Sequence, residues 1–501
     1  MGSGSSHPVA ADAPATRATL IIRNLAITAL ELKLAERLDP PHHLHTPAAL
    51  AKVSSRISEE QRPSSPSQGV KGVTISPFSE HVTTIDPPDP TRHEQLRLTF
   101  EDPATGHRYS AEIPGRSHRS IVLRPISASP SDETNEFTAI YLPAHNYLAL
   151  FSSVNLSSWM STLDPSLPLT ALSIPGTHNS PTHHVALPSV RCQSVPVPTQ
   201  LANGVRFLDV RVSCPRFTPH FPELALVHSA FPVSLTGTHH LSTLLRTLYT
   251  FLTHHPSETI LLSLKREGTG LGTDADLHRI LTTHYIRAAP PTGADTADPT
   301  NNNNNNNKWY TLPHIPTLGQ ARGRIVLLRR FHLHPSTGAG AGALGIDASV
   351  WPDNVPDGLC GSGLVRIQDW YGVGKAADIA RKQRFALEGL ERAAERVHLP
   401  GDDGDRLLLL RPPPLPLFIN FLSASSLFST SCWPDKIAVK INPSMVEYLC
   451  MGHGAHGKGP GQLAVGDAAT GIVVTDWVGH HGDWDLVRCI VGWNARLQLR
   501  Q

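Results

Sequence analysis

A TIM-type (β/α)8 barrel preceded by a small β-sandwich is the fold that this α/β sequence predicts, on three observations. Eight short apolar, β-branched runs occupy the last two thirds of the chain, and each ends on or just before a polar residue able to do chemistry. Helical stretches lie between several of them. The first third instead shows short runs with period-2 alternation, separated by Pro, Gly and Asp clusters. Near-continuous apolar strands suit a sheet buried on both faces, and eight of them interleaved with helices suit a closed barrel whose chemistry gathers at the carboxyl ends of its strands.

Residues 1–18 are small and polar and read as a disordered tail. From 19 to 150 the runs TLIIRNLAI, LRLTFED, YSAEI, SIVLRPI and FTAIYLP read as sandwich strands, with 40–70 a long loop rich in Pro, Ser and His. The barrel domain is expected over 151–501, starting in earnest near Leu167. Its strands are TALSI before Gly176-Thr177-His178-Asn179, RFLDVRV with Asp209 and Arg211, LALV before His228, and TILLSLK with Lys265 and Glu267. RIVLLR with Arg329 and Arg330, LVRIQ before Asp369, LFINF with Asn420 and GIVVT before Asp476 follow. Between them, 240–255 places Leu241, Leu244, Leu245, Leu248, Phe251 and Leu252 on one helical stripe, and Pro256 ends it. A second helix, 375–397, is expected to turn Ala376, Ile379, Leu387, Leu390 and Ala394 inward and its charges outward. The insert 288–307 ends in seven consecutive Asn and reads as a disordered surface loop. Gly338 to Gly345 is a small-residue stretch, and Pro412 to Pro416 a rigid approach to the seventh strand.

The 501 residues, 40% hydrophobic, allow two or three domains with real cores. With 43 basic and 42 acidic side chains the net charge is +1, so no long-range field points to nucleic acid. Six scattered cysteines, none in a C-x-x-C pair, read as reduced thiols in a cytosolic setting. No run reaches the roughly 18 apolar residues of a membrane span, and no signal-peptide pattern opens the chain. The expected location is therefore cytoplasmic or peripheral to a membrane. Gly2 with Ser6 fits the permissive N-myristoylation pattern, for which a plain flexible tail is the better reading.

Two histidines at neighbouring strand ends, His178 and His228, can divide the cleavage of a phosphodiester. One removes a proton from an attacking hydroxyl and the other protonates the departing oxygen. Arg211 supplies positive charge to the pentacoordinate phosphorus without a metal, Lys265 and Arg330 add charge across the cleft, and Asp476 orients an imidazole once strand eight closes on strand one. Plainer readings compete: Arg211 paired with Asp209, Glu267 neutralising Lys265, Asp369 capping the next helix. The doublets His183-His184, His239-His240, His254-His255 and His480-His481 are not read as metal ligands, because adjacent side chains diverge.

Taken in order, LSIPGTHNS, FLDVRV, LVHS, ETILLSLKRE, GRIVLLRRF, VRIQDWY and GIVVTDWVG resemble the X-domain of phosphatidylinositol-specific phospholipase C in its bacterial, metal-independent form, from about Leu167 to Asn494. The resemblance implies the barrel of PLC-like phosphodiesterases. It further implies His178 as general base on the inositol 2-hydroxyl, His228 as general acid, Arg211 on the phosphorus and Asp476 as partner of His178. Lys265, Arg330, Asp369 and Tyr371 resemble the residues that hold the inositol hydroxyls. Calcium-dependent relatives place an acid where Arg211 stands, so no cofactor and no metal are expected here. One departure stands out: bacterial members carry Asp after the first His, and this chain carries Asn179.

The expected function is cleavage of phosphatidylinositol or a glycosylated derivative, at a membrane surface, to diacylglycerol and a cyclic inositol phosphate. A metal-dependent glycerophosphodiester or sphingolipid phosphodiesterase of the same superfamily, and a catalytically silent head-group binding protein, are the alternatives.

Overall fold

The structure is a computed structural model. It describes residues 19–38, 72–114, 120–126, 136–218, 220, 222–286, 308–333, 344–398, 415–426 and 428–499. The tail 1–18 with Gly2, the loop 40–70, the insert 288–307 and most of 338–345 and 412–416 lie outside the described residues. The chain divides into two compact units, one of residues 1–24, 28–134 and 139–150, the other of residues 25–27, 135–138 and 151–501.

The N-terminal strands are β1 (Ile21–Leu25), β2 (Leu30–Leu38), β3 (Val73–Ile75), β4 (Ser79–Val82), β5 (Gln95–Glu101), β6 (Arg108–Ile113), β7 (Ser120–Leu123), β8 (Phe137–Leu142) and β9 (Tyr147–Ser152). They form one sheet of order β4-β1-β9-β8-β7 and a second of order β3-β2-β5-β6. Alternation makes the second sheet one-sided: Leu96, Leu98 and Phe100 are buried, and across the strand pair Leu98 faces Ala111 and Phe100 faces Tyr109.

In the second unit the strands are β10 (Ile174–Thr177), β11 (Phe207–Ser213), β12 (Ala225–His228), β13 (Phe231–Pro232), β14 (Ile260–Glu267), β15 (Trp309–Tyr310), β16 (Ile325–Arg330), β17 (Ile346–Asp347), β18 (Gly358–Leu359), β19 (Val365–Gln368), β20 (Leu417–Phe421) and β21 (Ile472–Thr475). Its helices are α1 (Val197–Ala202), α2 (Leu241–His254), α3 (Asp274–Ile280), α4 (Leu318–Ala321), α5 (Ala376–Ala394), α6 (Pro434–Met451), α7 (Asp485–Gly492) and α8 (Ala495–Gln498). Parallel pairing runs β17-β16-β14-β11-β10-β21-β20-β19, so the last long strand lies beside the first, with Thr177 opposite Thr475. Among the described residues, no pairing joins β17 to β19, and the curled sheet has its seam there.

Period-2 alternation sends the two faces of these strands into two cores. Phe207, Leu261, Val326 and Leu328 join Ile174, Ile367, Phe421 and Val474 in one. Their neighbours Leu208, Leu262 and Leu327 pack instead with Leu241, Leu244, Leu245, Leu248 and Leu252 of α2. Gly176 is held to glycine by close approach, since a Cβ there would sit 2.9 Å from the Phe207 ring.

Two expectations need correction. The run before His228 is not a parallel wall strand: β12 pairs antiparallel with β11, Val212 opposite Leu226. A parallel return needs a crossover of a dozen or more residues, and the stretch 214–224, broken by Pro215, Pro219 and Pro222, is too short to supply one. On α5, the inner stripe is not free of charge. Ile379, Lys382, Ala386, Leu390 and Glu391 are buried, whereas Ala376 is exposed.

Candidate active site

The inner-face parity of the strands carries the polar residues to one place. On β11, Asp209 and Arg211 share the face of Phe207; on β14, Ser263, Lys265 and Glu267 share that of Leu261; on β16, Arg330 shares that of Leu328. Register then sets Arg211 beside Lys265, and Lys265 beside Arg330. A cleft of about 450 Å³ lies over these strand ends, lined by His178, Arg211, His228, Lys265, Glu267, Arg330, Asp369 and Tyr371 among others. That volume is within the range of small-molecule sites. Asp476, Asp209 and Asn179 lie behind this wall and are fully or nearly fully buried.

His178 is held from both sides. Its Nδ1 is 2.9 Å from Asp476 Oδ1, and its Nε2 is 2.9 Å from Arg211 Nη2. Because a guanidinium only donates, Nε2 must be the accepting nitrogen, and Nδ1–H donates to the carboxylate. The neutral ring thus presents a lone pair toward the cleft. Burial pushes the Asp476 carboxyl above its ordinary range, against the pull of His178, Arg211 and Lys382.

The ring of His228 stands edge-on to that of His178, centroids 5.6 Å apart. Its Nδ1 donates to the carbonyl of Val190 at 2.8 Å. Burial, with the positive charge of Arg211 next, brings its pKa down to about 3, so it is neutral in the free site. The turned-back β12 therefore delivers the second imidazole by a different route from the one the sequence predicts.

The plain readings of the charged pairs describe the contacts of the free site. Arg211 donates to Asp209 Oδ2 at 3.2 Å and to Glu267 Oε1 at 3.2 Å, and Lys265 donates to Glu267 Oε1 at 2.6 Å. Burial alone would lower the Arg211 pKa, but Asp209, Glu267 and Asp369 more than offset it. Glu267, which burial alone would push up, is held down to about 2 by Arg211 and Lys265. Arg330 bonds Asp209 Oδ1 at 3.2 Å and lies 3.6 Å over the ring of Trp351.

Asp369 does not cap a helix. It accepts from Trp351 Nε1 at 2.9 Å, and the first turn of α5 is served by Asp378. Tyr371 donates to Asp353 at 2.9 Å and is 40% exposed at the rim. Trp351 and Asp353 lie on a loop with no strand-end pattern, so from the sequence Asp353, near Trp351, reads only as a loop residue. Lys382 escaped the sequence reading, although its place three residues after Ile379 and four before Ala386 was a signal.

Asn179 takes a left-handed backbone, φ 42°, and its N–H donates to Asp209 Oδ2 at 3.2 Å. Its side-chain oxygen and nitrogen have no partner among the described residues. Ser229, φ 54°, and Trp477, φ 52°, repeat this conformation directly after His228 and Asp476. Each of the three turns the chain away just after a side chain has entered the site.

Ligand atoms of His178, Cys192 and His228 all lie within 4.8 Å of one another and could meet a soft metal ion. The guanidinium of Arg211 already holds His178 Nε2, and Val190 holds His228 Nδ1. The donor set is therefore poorly placed for a cation.

No family model matches the chain. It is 31% identical over 192 residues to a 1-phosphatidylinositol phosphodiesterase of Listeria monocytogenes, a match covering 36% of this chain and 51% of that protein. It is 25% identical over 335 residues to a 1-phosphatidylinositol phosphodiesterase of Staphylococcus aureus, covering 64% and 88%. The chain thus spans about half the length of the first of these relatives and most of the second. A crystal structure of a phosphatidylinositol-specific phospholipase C from Staphylococcus aureus superposes on 68% of this chain and 97% of its own length, with a TM-score of 0.48 and 23% identity.

Proposed function

We propose that this chain belongs to the phosphatidylinositol-specific phospholipase C-like family, in line with its likeness to two bacterial 1-phosphatidylinositol phosphodiesterases, and cleaves phosphatidylinositol or a glycosylated derivative to diacylglycerol and a cyclic inositol phosphate. The observation that carries the reading is His178 fixed between Asp476 and Arg211, with His228 5.6 Å away across the cleft. In this reading Nε2 of His178 takes the proton of the inositol 2-hydroxyl, which attacks phosphorus, and His228 protonates the glycerol oxygen that leaves. Arg211 transfers its hydrogen bond from His178 to a phosphoryl oxygen. A bound phosphodiester anion next to His228 works against the burial and the Arg211 charge that depress its pKa, and so lets it carry the proton it must give. Lys265, Arg330, Asp369 and Tyr371 hold the inositol hydroxyls.

No metal takes part in this mechanism, because Arg211 supplies the charge where a cation would sit. In the finer fold reading, 151–501 is a (β/α)8 barrel open at the β17/β19 seam, and 19–150 a β-sandwich domain. A lipid surface suits the rim, where Phe231 and Tyr371 line the cleft and are 38% and 40% exposed. No described helix is long and apolar enough to cross a membrane.

Phosphorus NMR of phosphatidylinositol in mixed micelles, with EDTA and then with calcium, tests the proposal. A cyclic inositol phosphate signal is expected in EDTA. His178→Ala and His228→Ala should each nearly abolish it in folded protein. Product only with calcium would overturn the role of Arg211, and no product in either condition would overturn the activity.

A further inference from the structure

The inner face of α5 buries a charge that the mechanism above does not use. Lys382 is fully buried, between Ile379 and Ala386 on the stripe that packs against β19 and β20. Its Nζ donates to Gln368 Oε1 at 3.1 Å, and among the described residues it has no ion-pair partner within 4.0 Å. A buried ammonium without a carboxylate in contact is rare, because its hydration has been given up for little direct return.

Gln368 is the centre of a closed network. The same Oε1 accepts from Trp370 N–H at 2.9 Å, while Nε2 donates to Asn420 Oδ1 at 2.8 Å and to the Phe421 carbonyl at 2.7 Å. Asn420 in turn donates to the carbonyl of Ala386, one turn beyond Lys382, at 2.8 Å. Helix, strand end and neighbouring strand are tied through one amide. The turn leaving Gln368 carries Asp369 and Tyr371 into the cleft.

The charges that reach Lys382 are those of Asp369, after β19, and Asp476, after β21. On the other faces packed around α5, Arg366 of β19 is engaged by Asp357 at 2.6 Å, β20 carries no charged residue, and Lys436 and Lys440 of α6 are exposed. Asp476 has one carboxylate oxygen, Oδ2, with no hydrogen-bond partner among the described residues.

We propose that Lys382 is a positioning residue of this site: its buried ammonium clamps Gln368, setting the turn that presents Asp369 and Tyr371, and places a positive charge behind Asp369 and Asp476. Burial draws its pKa down to about 7, so the charge is present in the acidic half of the pH range. The assignment rests on the phosphodiesterase reading above.

Steady-state kinetics on soluble myo-inositol 1,2-cyclic phosphate separates the two. Lys382→Met should raise KM by about tenfold through the loosened turn. Loss of the positive charge removes a pull that holds the Asp476 carboxyl down, so the acidic limb of kcat/KM should move to higher pH by about half a unit or more. Lys382→Arg should bring the limb back. If Lys382→Met does not fold, Lys382→Gln keeps a polar tip and removes only the charge, and should move the limb alike. A folded Met or Gln variant with wild-type KM and limb would overturn the assignment. Failure of both to fold, with the Arg variant active, would make Lys382 a packing element and overturn it equally. An inactive wild type would overturn the activity and this role together, whereas an active wild type with unmoved variants would overturn Lys382 alone.

Discussion

Arg211 reaches His178 from the side opposite Asp476, with its Nη2 2.9 Å from the ring Nε2. A cation that donates to the nitrogen meant to accept a proton keeps that nitrogen bare and correctly aimed in the absence of substrate. The same guanidinium is bound to Asp209 and Glu267, which fix its plane.

Asp476→Asn should cost about 10²–10⁴ in kcat with the fold intact, because the new amide can turn a donor toward Nδ1 and force the proton onto Nε2. There it would oppose Arg211. The readout is turnover of soluble cyclic inositol phosphate, and a kcat within twofold of wild type would show that Asp476 does not orient the ring.

Trp351 joins two groups expected to hold the sugar, donating to Asp369 at 2.9 Å and lying 3.6 Å under Arg330. Trp351→Phe keeps an aromatic face and loses the hydrogen bond, which should raise KM by about five- to tenfold with little change in kcat. Trp351→Ala removes both and should raise it further. Equal effects of the two would place the whole contribution in the hydrogen bond to Asp369.

His228 makes folding pH-dependent with a definite sign. Its folded pKa of about 3 lies below its ordinary value of 6.5, so the unfolded chain binds more protons between them. The neutral ring costs nothing above pH 6.5, and stability falls as pH drops from 6.5 toward 3. Melting temperatures of His228→Gln should fall less between pH 7 and pH 4.5 than those of wild type; parallel curves would refute the depressed pKa.

Asn179→Gly tests whether this residue acts through its backbone or its side chain. Glycine adopts the φ of 42° freely, so activity should stay within about threefold of wild type and stability should not fall. A loss of about a hundredfold would assign a chemical role to the amide.

Period-2 alternation is a local property, and it was enough to place Asp209 with Arg211, Lys265 with Glu267, and Arg330 on faces that could share a cleft. The helix over 240–255 was equally legible, since α2 buries the five leucines its spacing predicts. Hydrophobic content could not reveal that Lys382 is buried, because a single long charged side chain on an inner stripe reads as an exception to a charged outer face.

By itself the sequence determined the main apolar strands of the second unit, which of their side chains share a face, and that polar groups end them, but not strands such as β2 and β9. The tertiary structure decided which strands are neighbours. It brought Asp476 within 2.9 Å of His178 across almost the whole unit, turned the His228 strand back against β11, and left the seam between β17 and β19. Alternation is written in the dihedral angles of each residue, whereas neighbourhood depends on connection length and on burial shared between segments far apart in the chain.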